Sequence, residues 1–374
     1  MKEGWKYEPL GSVGKFKRGG NFKKSDFVDD GMPCVHYGQI HMTFGTSTNQ
    51  HLSAIPQSIY DKCTKGEKGD LLIAITSEDV EGSCKCTAWT GDYAVALGGH
   101  MARFRHNLNP LYVSYFFQSP TFQRAKKEYT HGFKVVEIKP SDIAKITIGY
   151  PSPEEQAVIV AKLDTAFARI DTIKHNAKVA LEEAHSLFSS EINNCFSDEG
   201  LISQSEILQF EKCLVKVKRQ PQIKAKYYLK EGKFPIVSQD ASIISGYTNE
   251  QCMVYHHERP VIIFGDHTRV IKYIDFDFVV GADGTHILST IERIEPKYFY
   301  YYLKSIKLKS LGYARHFKLL KENQIAVPPI NIQKAIVNRL DTIECKVNKA
   351  ISNFEMIEKF CSVLHDSVLK SFFE

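Results

Sequence analysis

Long apolar runs, a cysteine framework and nucleotide-binding loops are all missing from this 374-residue sequence. No stretch approaches the roughly 18 consecutive apolar residues that a membrane span requires. The opening MKEGWKYEPLG lacks the apolar core of an export signal, so neither membrane insertion nor secretion is expected. The nine cysteines (Cys34, Cys63, Cys84, Cys86, Cys195, Cys213, Cys252, Cys345, Cys361) are odd in number and scattered. That pattern points to free thiols in a reducing, cytoplasmic setting rather than a disulfide scaffold. No glycine-rich loop ends in Lys-Ser or Lys-Thr, which excludes nucleotide hydrolysis by a P-loop. Cys84-Lys-Cys86 and His256-His257 are isolated pairs without the second pair of a four-coordinate zinc site, so no bound metal is expected. Serine and cysteine nucleophile elbows are absent as well. Proline is missing from residues 154–200 and 330–374, which leaves both stretches free to be unbroken helix.

What is present is charge in blocks. The net charge is only +5, yet residues 1–150 hold 19 Lys and Arg against 15 Asp and Glu, and residues 207–327 hold 19 against 12. Between and after them the balance reverses or vanishes: 4 against 10 over 151–206, and 6 against 6 over 328–374. Two basic segments on less basic spacers suggest two contacts with a polyanion.

A repeat organises the chain. PSPEEQAVIVAKLDT from Pro151 returns as PPINIQKAIVNRLDT from Pro328. Aligning Gln156 with Gln333 makes Ile159/Ile336, Val160/Val337, Leu163/Leu340, Asp164/Asp341 and Thr165/Thr342 identical pairs, and Lys162/Arg339 keeps its charge. Each copy opens a long helix, because proline is tolerated in the first turn and Glu154 and Glu155 suit the positive end of the helix dipole. The second copy carries a heptad seam through Ile336, Leu340, Ile343, Val347, Ala350, Phe354, Ile357, Cys361, Leu364 and Val368. The first carries one through Ile159, Leu163, Ala166, Ile170, Ile173, Ala177, Ala180, Ala184 and Leu187. A helix of about 42 residues would be roughly 60 Å long. With one seam per copy and no third long helix, the economical arrangement pairs the two within the chain; the alternative is that each seam meets another chain.

The segments before each helix read as short strands and one aromatic helix. DLLIAIT (70–76) and DYAVAL (92–97) in the first block correspond to PVIIFG (260–265) and DFDFVVGADG (275–284) in the second. NPLYVSYFFQS (109–119) corresponds to EPKYFYYYLKS (295–305), and each is followed by a basic loop, THGFK (130–134) or GYARHFK (312–318). The unit is therefore an α/β module plus a helical arm, present twice. Candidate nucleic-acid contacts are the polar and basic residues of the glycine-bearing loops, since phosphates take Lys, Arg and N–H groups while base edges take Arg, Asn, Gln, His, Ser and Thr. In the first block these are Lys15, Lys17, Arg18, Asn21, Lys23, Lys24, His36, Tyr37, Gln39, Thr76, Ser77, His100, His131 and Lys134. In the second they are Ser238, Gln239, Tyr247, Asn249, Asp266, His267, Thr268, Arg269, His286, Tyr313, Arg315, His316 and Lys318.

The doubled proline-to-glutamine helix start with I-V-x-[KR]-L-D, GWKYEPLGSV near the start, and KFPIVSQD…SGYTN…RPVIIFGDHTR…DFVVGADG resemble the specificity subunit of type I restriction-modification systems across nearly the whole chain. In the second block LQFEKCLVKV (208–217) stands where GWKYEPLGSV would be expected. The resemblance implies an α/β (α+β) fold with an internal pseudo-twofold repeat. It places target-recognition domains at 1–150 and 201–327 and long spacer helices at 151–200 and 328–374, pairing as an antiparallel coiled coil. It further implies a non-catalytic chain that reads a bipartite site in double-stranded DNA, with helix length setting the gap. Such a chain recruits two adenine-methyltransferase subunits and ATP-driven restriction subunits. S-adenosylmethionine, ATP and Mg2+ would then be used by those partners and not bound here. Glu155, Gln156, Lys162, Gln333 and Arg339 are the expected subunit-interface residues.

A methyltransferase of its own would need an Asn/Asp-Pro-Pro-aromatic loop for a flipped base. The only Asn-Pro, at Asn109-Pro110, leads into Leu-Tyr and a helix. Two further readings compete: a coiled-coil scaffold without DNA specificity, which leaves the paired basic modules unexplained, and a metal-dependent nuclease built on Asp283, Glu295 and Lys297.

Overall fold

The computed structural model of the chain describes residues 2–130, 135–309, 312 and 314–374. It divides into two units, the first formed by Met1–Asn176 with Met356–Glu374 and the second by Ala177–Glu355.

In unit one the chain enters through strand Lys6–Pro9, paired antiparallel with Thr147–Tyr150 just before the first long helix. A five-stranded sheet follows the order Gly14–Arg18, Met101–His106, Leu71–Ala74, Cys86–Trp89, Ser47–Thr48. A four-stranded sheet runs Ser53–Ile55, Met32–Val35, Val95–Leu97, Lys65–Gly66. The unbroken apolar run at Leu71–Ala74 reflects burial on both faces. Leu71 and Ile73 enter a core with the aromatic helix, while Leu72 and Ala74 enter another with Trp89 and with Val35 and Leu97 of the second sheet. The aromatic helix, Pro110–Gln118, starts where the Asn109 side chain accepts from the N–H groups of Leu111 and Tyr112 and where proline occupies the first turn.

Unit two repeats this plan. Glu206–Gln209 pairs with Gln324–Val327, and Leu214–Val215, Thr285–Thr290, Val261–Gly265 and Ile271–Ile274 form the main sheet. Its central strand divides in the same way: Ile262 and Phe264 face the aromatic helix Pro296–Ser305, and Val261 and Ile263 face the other sheet. LQFEKC does serve as the counterpart of the first block's entry segment, because Phe210 and Cys213 are buried in the turn after the entry strand as Leu10 and Val13 are in unit one. Among the described residues the fifth strand of unit one has no counterpart. There Ala88 and Ser114 are small and bond the carbonyl of Thr46 at 2.9 and 2.7 Å. At the matching stations of unit two Tyr273 and Tyr300 fill that space with rings 5.8 Å apart.

The long helices span Pro153–Ser197 and Ile330–Phe373. In unit one Ile159, Val160 and Leu163 share a core with Val368, Leu369, Phe372 and Phe373, and Phe167 stacks on His365 at 4.4 Å. In unit two Phe188, Ile192, Cys195 and Phe196 share a core with Val337, Leu340 and Val347, and Arg339 pairs with Glu191 at 2.6 Å. The start of each helix therefore meets the end of the other, which is the expected antiparallel pairing within the chain. Every expected seam position of the second helix is buried or half-buried. In the first helix the seam changes phase after Ile170 and continues through Lys174, Ala177, Leu181, Ala184 and Phe188. Ile173, Ala180 and Leu187, expected on the seam, are exposed, Ile173 and Leu187 by 43% and 58%. The shift brings Phe188 against Tyr301 of the aromatic helix, 6.2 Å between ring centres, so tertiary packing overrides the strict heptad.

Candidate nucleic-acid interface

The repeated motif works inward. Gln156 is buried, accepting from the Asn109 N–H at 2.9 Å and donating to the Pro151 carbonyl at 2.9 Å. Gln333 does the same for the Glu295 N–H (2.8 Å) and the Pro328 carbonyl (2.7 Å). Each glutamine thus satisfies a backbone group at the start of the aromatic helix and another at the start of the long helix. The motif aspartates finish the tie: Asp164 accepts from the Tyr115 hydroxyl at 2.5 Å and Asp341 from the Tyr301 hydroxyl at 2.6 Å. One turn earlier on each aromatic helix, Tyr112 and Tyr298 donate to the carbonyls of Gly149 and Ala326. Gln156 and Gln333 are therefore not surface groups for a partner, because their amides are consumed by the fold. Arg339 pairs with Glu191 yet is exposed, as are Glu155 and Lys162.

Each unit carries a cleft at the carboxyl ends of its central strands. In unit one a space of about 830 Å3 is lined by Tyr37, Thr76, Ser77 and His100, together with His41, Glu78, Asp79, Glu81 and Lys85. Tyr37 meets His100 and His41 edge-on at 5.2 and 6.0 Å, and His41 Nε2 lies 3.1 Å from the Thr76 carbonyl. In unit two about 730 Å3 is lined by Gln239, Asp266, His267, His286 and Arg315, with Lys218, Arg219, Gln220, Gln222 and Asp283.

Backbone register shows that these are the same cleft twice. The Cys84 N–H donates to Ala74 (2.9 Å) and Ala74 to Lys85 (2.8 Å); the Arg269 N–H donates to Gly265 (2.8 Å) and Gly265 to Val270 (2.9 Å). Cys84 and Arg269 both have φ +61°, and they are the only non-glycine residues with positive φ among those described. A left-handed conformation on a side chain costs about 1 kcal/mol or more and persists where surrounding structure demands it. Between these fixed bonds lie residues 75–83 in unit one and 266–268 in unit two, so the units differ chiefly in the loop the frame presents. Each frame is also pinned by a buried lysine. Lys126 donates to the carbonyls of Glu81 (2.9 Å) and Ser83 (2.7 Å), and burial lowers its pKa to about 8. Lys272 donates to the Ser242 carbonyl and pairs with Asp240 at 3.3 Å, and burial likewise lowers it.

Several expected contacts belong to the fold instead. His36 is buried, its Nδ1 accepting from the Gly38 N–H, and burial is the main cause holding its imidazole below the usual range. Ser238 is buried among Asp240 and Ser245, and His316 is fully buried against the Asp266 carbonyl. Gln39 bonds Ser53 and the His36 N–H, and Arg18 pairs with Glu137 at 2.9 Å. Lys15, Lys17, Asn21, Lys23 and Lys24 are exposed along an edge strand and the loop after it. Tyr247, Asn249, Thr268 and Lys318 lie away from the cleft lining, Asn249 and Thr268 bonding the backbone at Lys233 and Gln239. Arg269 turns to the Leu308 carbonyl. His131, Lys134 and Tyr313 fall outside the described residues. Of the nuclease set, Lys297 pairs with Asp341 at 2.8 Å and the Glu295 N–H is taken by Gln333, so both are tied into the helix start. Sequence reasoning overlooked Lys218, Arg219, Gln220 and Gln222. Their signal was the basic run KVKRQPQIKAK after the short strand Leu214–Val215, the station held by KFKRGGNFKK in unit one.

A family model for the type I restriction modification DNA specificity domain matches residues 2–183 and 212–353. Over 180 residues the chain is 26% identical to the StySPI type I restriction enzyme specificity subunit of Salmonella potsdam and 24% identical to the EcoKI specificity subunit of Escherichia coli K12. Each match covers 46% of this chain and 38% of the relative, so the chain spans well under half the length of these curated relatives. Among solved structures, a chain from work on complex assembly and conformational transition of the type I R-M system matches with a TM-score of 0.78 at 17% identity, covering 100% of this chain and 98% of that one. The HsdS subunit of Thermoanaerobacter tengcongensis matches with a TM-score of 0.57 at 16% identity, covering 100% and 97%. At these identities the likeness is one of fold.

Proposed function

The chain belongs to the type I restriction modification DNA specificity domain family, and on that premise we propose that it reads a bipartite target in double-stranded DNA, one half-site through each cleft. Residues 1–150 and 201–327 act as the two target-recognition domains, and the paired helices set the gap between half-sites. The chain itself is non-catalytic. It recruits two adenine-methyltransferase subunits, with restriction subunits added for cleavage, and S-adenosylmethionine, ATP and Mg2+ serve those partners. Glu155 and Lys162 at the head of the first arm and Arg339 at the head of the second remain the interface candidates. The observation that carries this reading is the pair of clefts: the same hydrogen-bonded frame, built twice, presents unlike side chains. A scaffold would have no use for that difference, whereas a reader of two different half-sites requires it.

Selection of randomised duplexes by the full chain with its methyltransferase partner, followed by sequencing, tests the reading. Two short motifs at one fixed spacing are expected, with binding that weakens steeply as salt rises. Absence of any two-part motif overturns it. For the ruler, one heptad inserted in both helices, between Asn176 and Ala177 and between Glu355 and Met356, leaves each unit's own helix pairing intact. The preferred gap should lengthen, and an unchanged gap would sink the mechanism.

A further inference from the structure

Asp266 occupies a station whose folding requirement an apolar residue can meet. Its N–H donates to the Gly284 carbonyl at 2.8 Å, and in unit one the Ile75 N–H donates to His100 at 3.0 Å in the same position of the frame. Ile75 is fully buried there. A carboxylate that is only 5% exposed at this station costs desolvation that the fold does not demand.

Its partners show what the charge does. One oxygen accepts from the Phe317 N–H at 2.8 Å, while the main-chain carbonyl of Asp266 accepts from the His316 N–H at 2.9 Å, so the loop carrying Arg315 is sewn to it from both sides. The other oxygen lies 3.4 Å from Nε2 of His286 and 4.0 Å from Nε of Arg315. Burial raises the carboxyl, but the Phe317 N–H and His286 outweigh it and hold the group below the usual carboxylate range. The His286 ring is fixed by stacking on Phe317, 3.9 Å between centres and 11° from parallel. The Arg315 side chain is 82% exposed, and a contact at Nε leaves both terminal nitrogens free. That is a planar two-pronged donor whose base lies 4.0 Å from a buried anion, at the lining of the cleft. In the major groove the matching acceptor pair is O6 and N7 of guanine. Lys218 and Arg219 line the same cleft and suit phosphate.

We propose that the unit-two cleft recognises a guanine of a G·C pair through the terminal nitrogens of Arg315, with Asp266 as the residue that positions it. The proposal rests on the reading of the chain as a DNA-specificity chain. Its probe is the duplex enriched by selection, remade with 7-deazaguanine, which lacks the N7 acceptor, at each guanine in turn. With the unaltered chain, one such replacement in one half-site should lower affinity roughly 10- to 100-fold. Arg315→Lys keeps the charge and loses the fork, so it should abolish that penalty and relax preference at that base pair alone, with the salt dependence unchanged. Asp266→Asn keeps the acceptor for Phe317 and should also lose most of the discrimination.

Persistence of the 7-deazaguanine penalty in Arg315→Lys overturns the assignment. Wild-type discrimination in Asp266→Asn overturns the positioning role, and so does an equal loss at both half-sites, which would mark damage to the fold. Enrichment of no two-part motif refutes the reading of the whole chain. A two-part motif without guanine in either half refutes only this proposal.

Discussion

Unit one surrounds its cleft with Glu78, Asp79, Glu81 and an aromatic cluster of Tyr37, His41 and His100; unit two surrounds the equivalent cleft with Lys218, Arg219, His267, His286 and Arg315. The scaffolds beneath them share the buried glutamine, the tyrosine–aspartate tie and the left-handed residue that closes the hairpin. What is shared is what holds the module to its arm. What differs is side chains and loop length inside a fixed frame, which is how one architecture can address two different sequences.

That comparison can be broken at its shared parts first. Tyr112→Ala and Tyr298→Ala each remove a buried ring and its hydroxyl bond and should destabilise their own units by about 3–5 kcal/mol in denaturant unfolding, and by similar amounts. A large inequality would show that the aromatic helices are not equivalent. Gln156→Leu removes the partner of two backbone groups and Gln333→Leu that of three, for a cost of roughly 2–4 kcal/mol apiece. Loss of methyltransferase binding by either variant without loss of stability would restore these glutamines to the interface.

The units should separate under acid. Burial holds His106 of unit one at a pKa of about 4, and His36 of the same unit is lowered as well. Between the unfolded value near 6.5 and the folded value the unfolded state binds more protons, so stability falls as pH drops through that window and levels off below it. The loss is on the order of 1–3 kcal/mol and should fall on unit one, which holds both imidazoles. Amide exchange at pH 7 and pH 5 would reveal it, and uniform weakening of both units would contradict it. The smallest effect concerns the left-handed pair. Arg269→Gly relieves strain at an exposed position and should stabilise unit two by about 0.5–1 kcal/mol. Cys84→Gly should show no gain, because the Cys84 thiol is buried in the core of unit one.

The duplication, the two arms and the aromatic helices were legible in the sequence because apolar periodicity and proline placement are local signals. The register between units was not, since it lives in backbone bonds between segments with unrelated side chains; His36-Tyr37-Gly38 and Ser238-Gln239-Asp240 share a station without sharing a pattern. The inward turn of Gln156 and Gln333 was equally hidden, because a polar residue in a repeated motif reads as surface until its partners at Asn109 and Glu295 are known. The phase shift after Ile170 came from Phe188 meeting the aromatic helix, a tertiary contact that no heptad count contains.

The crossing of helix ends bears on the order in which the chain folds during synthesis. Unit two is contiguous from residue 177 to 355, so every side chain of its core has been made once residue 355 has emerged. Unit one, although most of it is translated first, lacks Val368, Leu369, Phe372 and Phe373 until the final stretch appears. Its core must then be closed over the longest loop in the molecule, with the loop-closure entropy that entails. The unit written second is thus the first that can be finished, and the module written first stays open, with Ile159 and Leu163 uncovered, until the end.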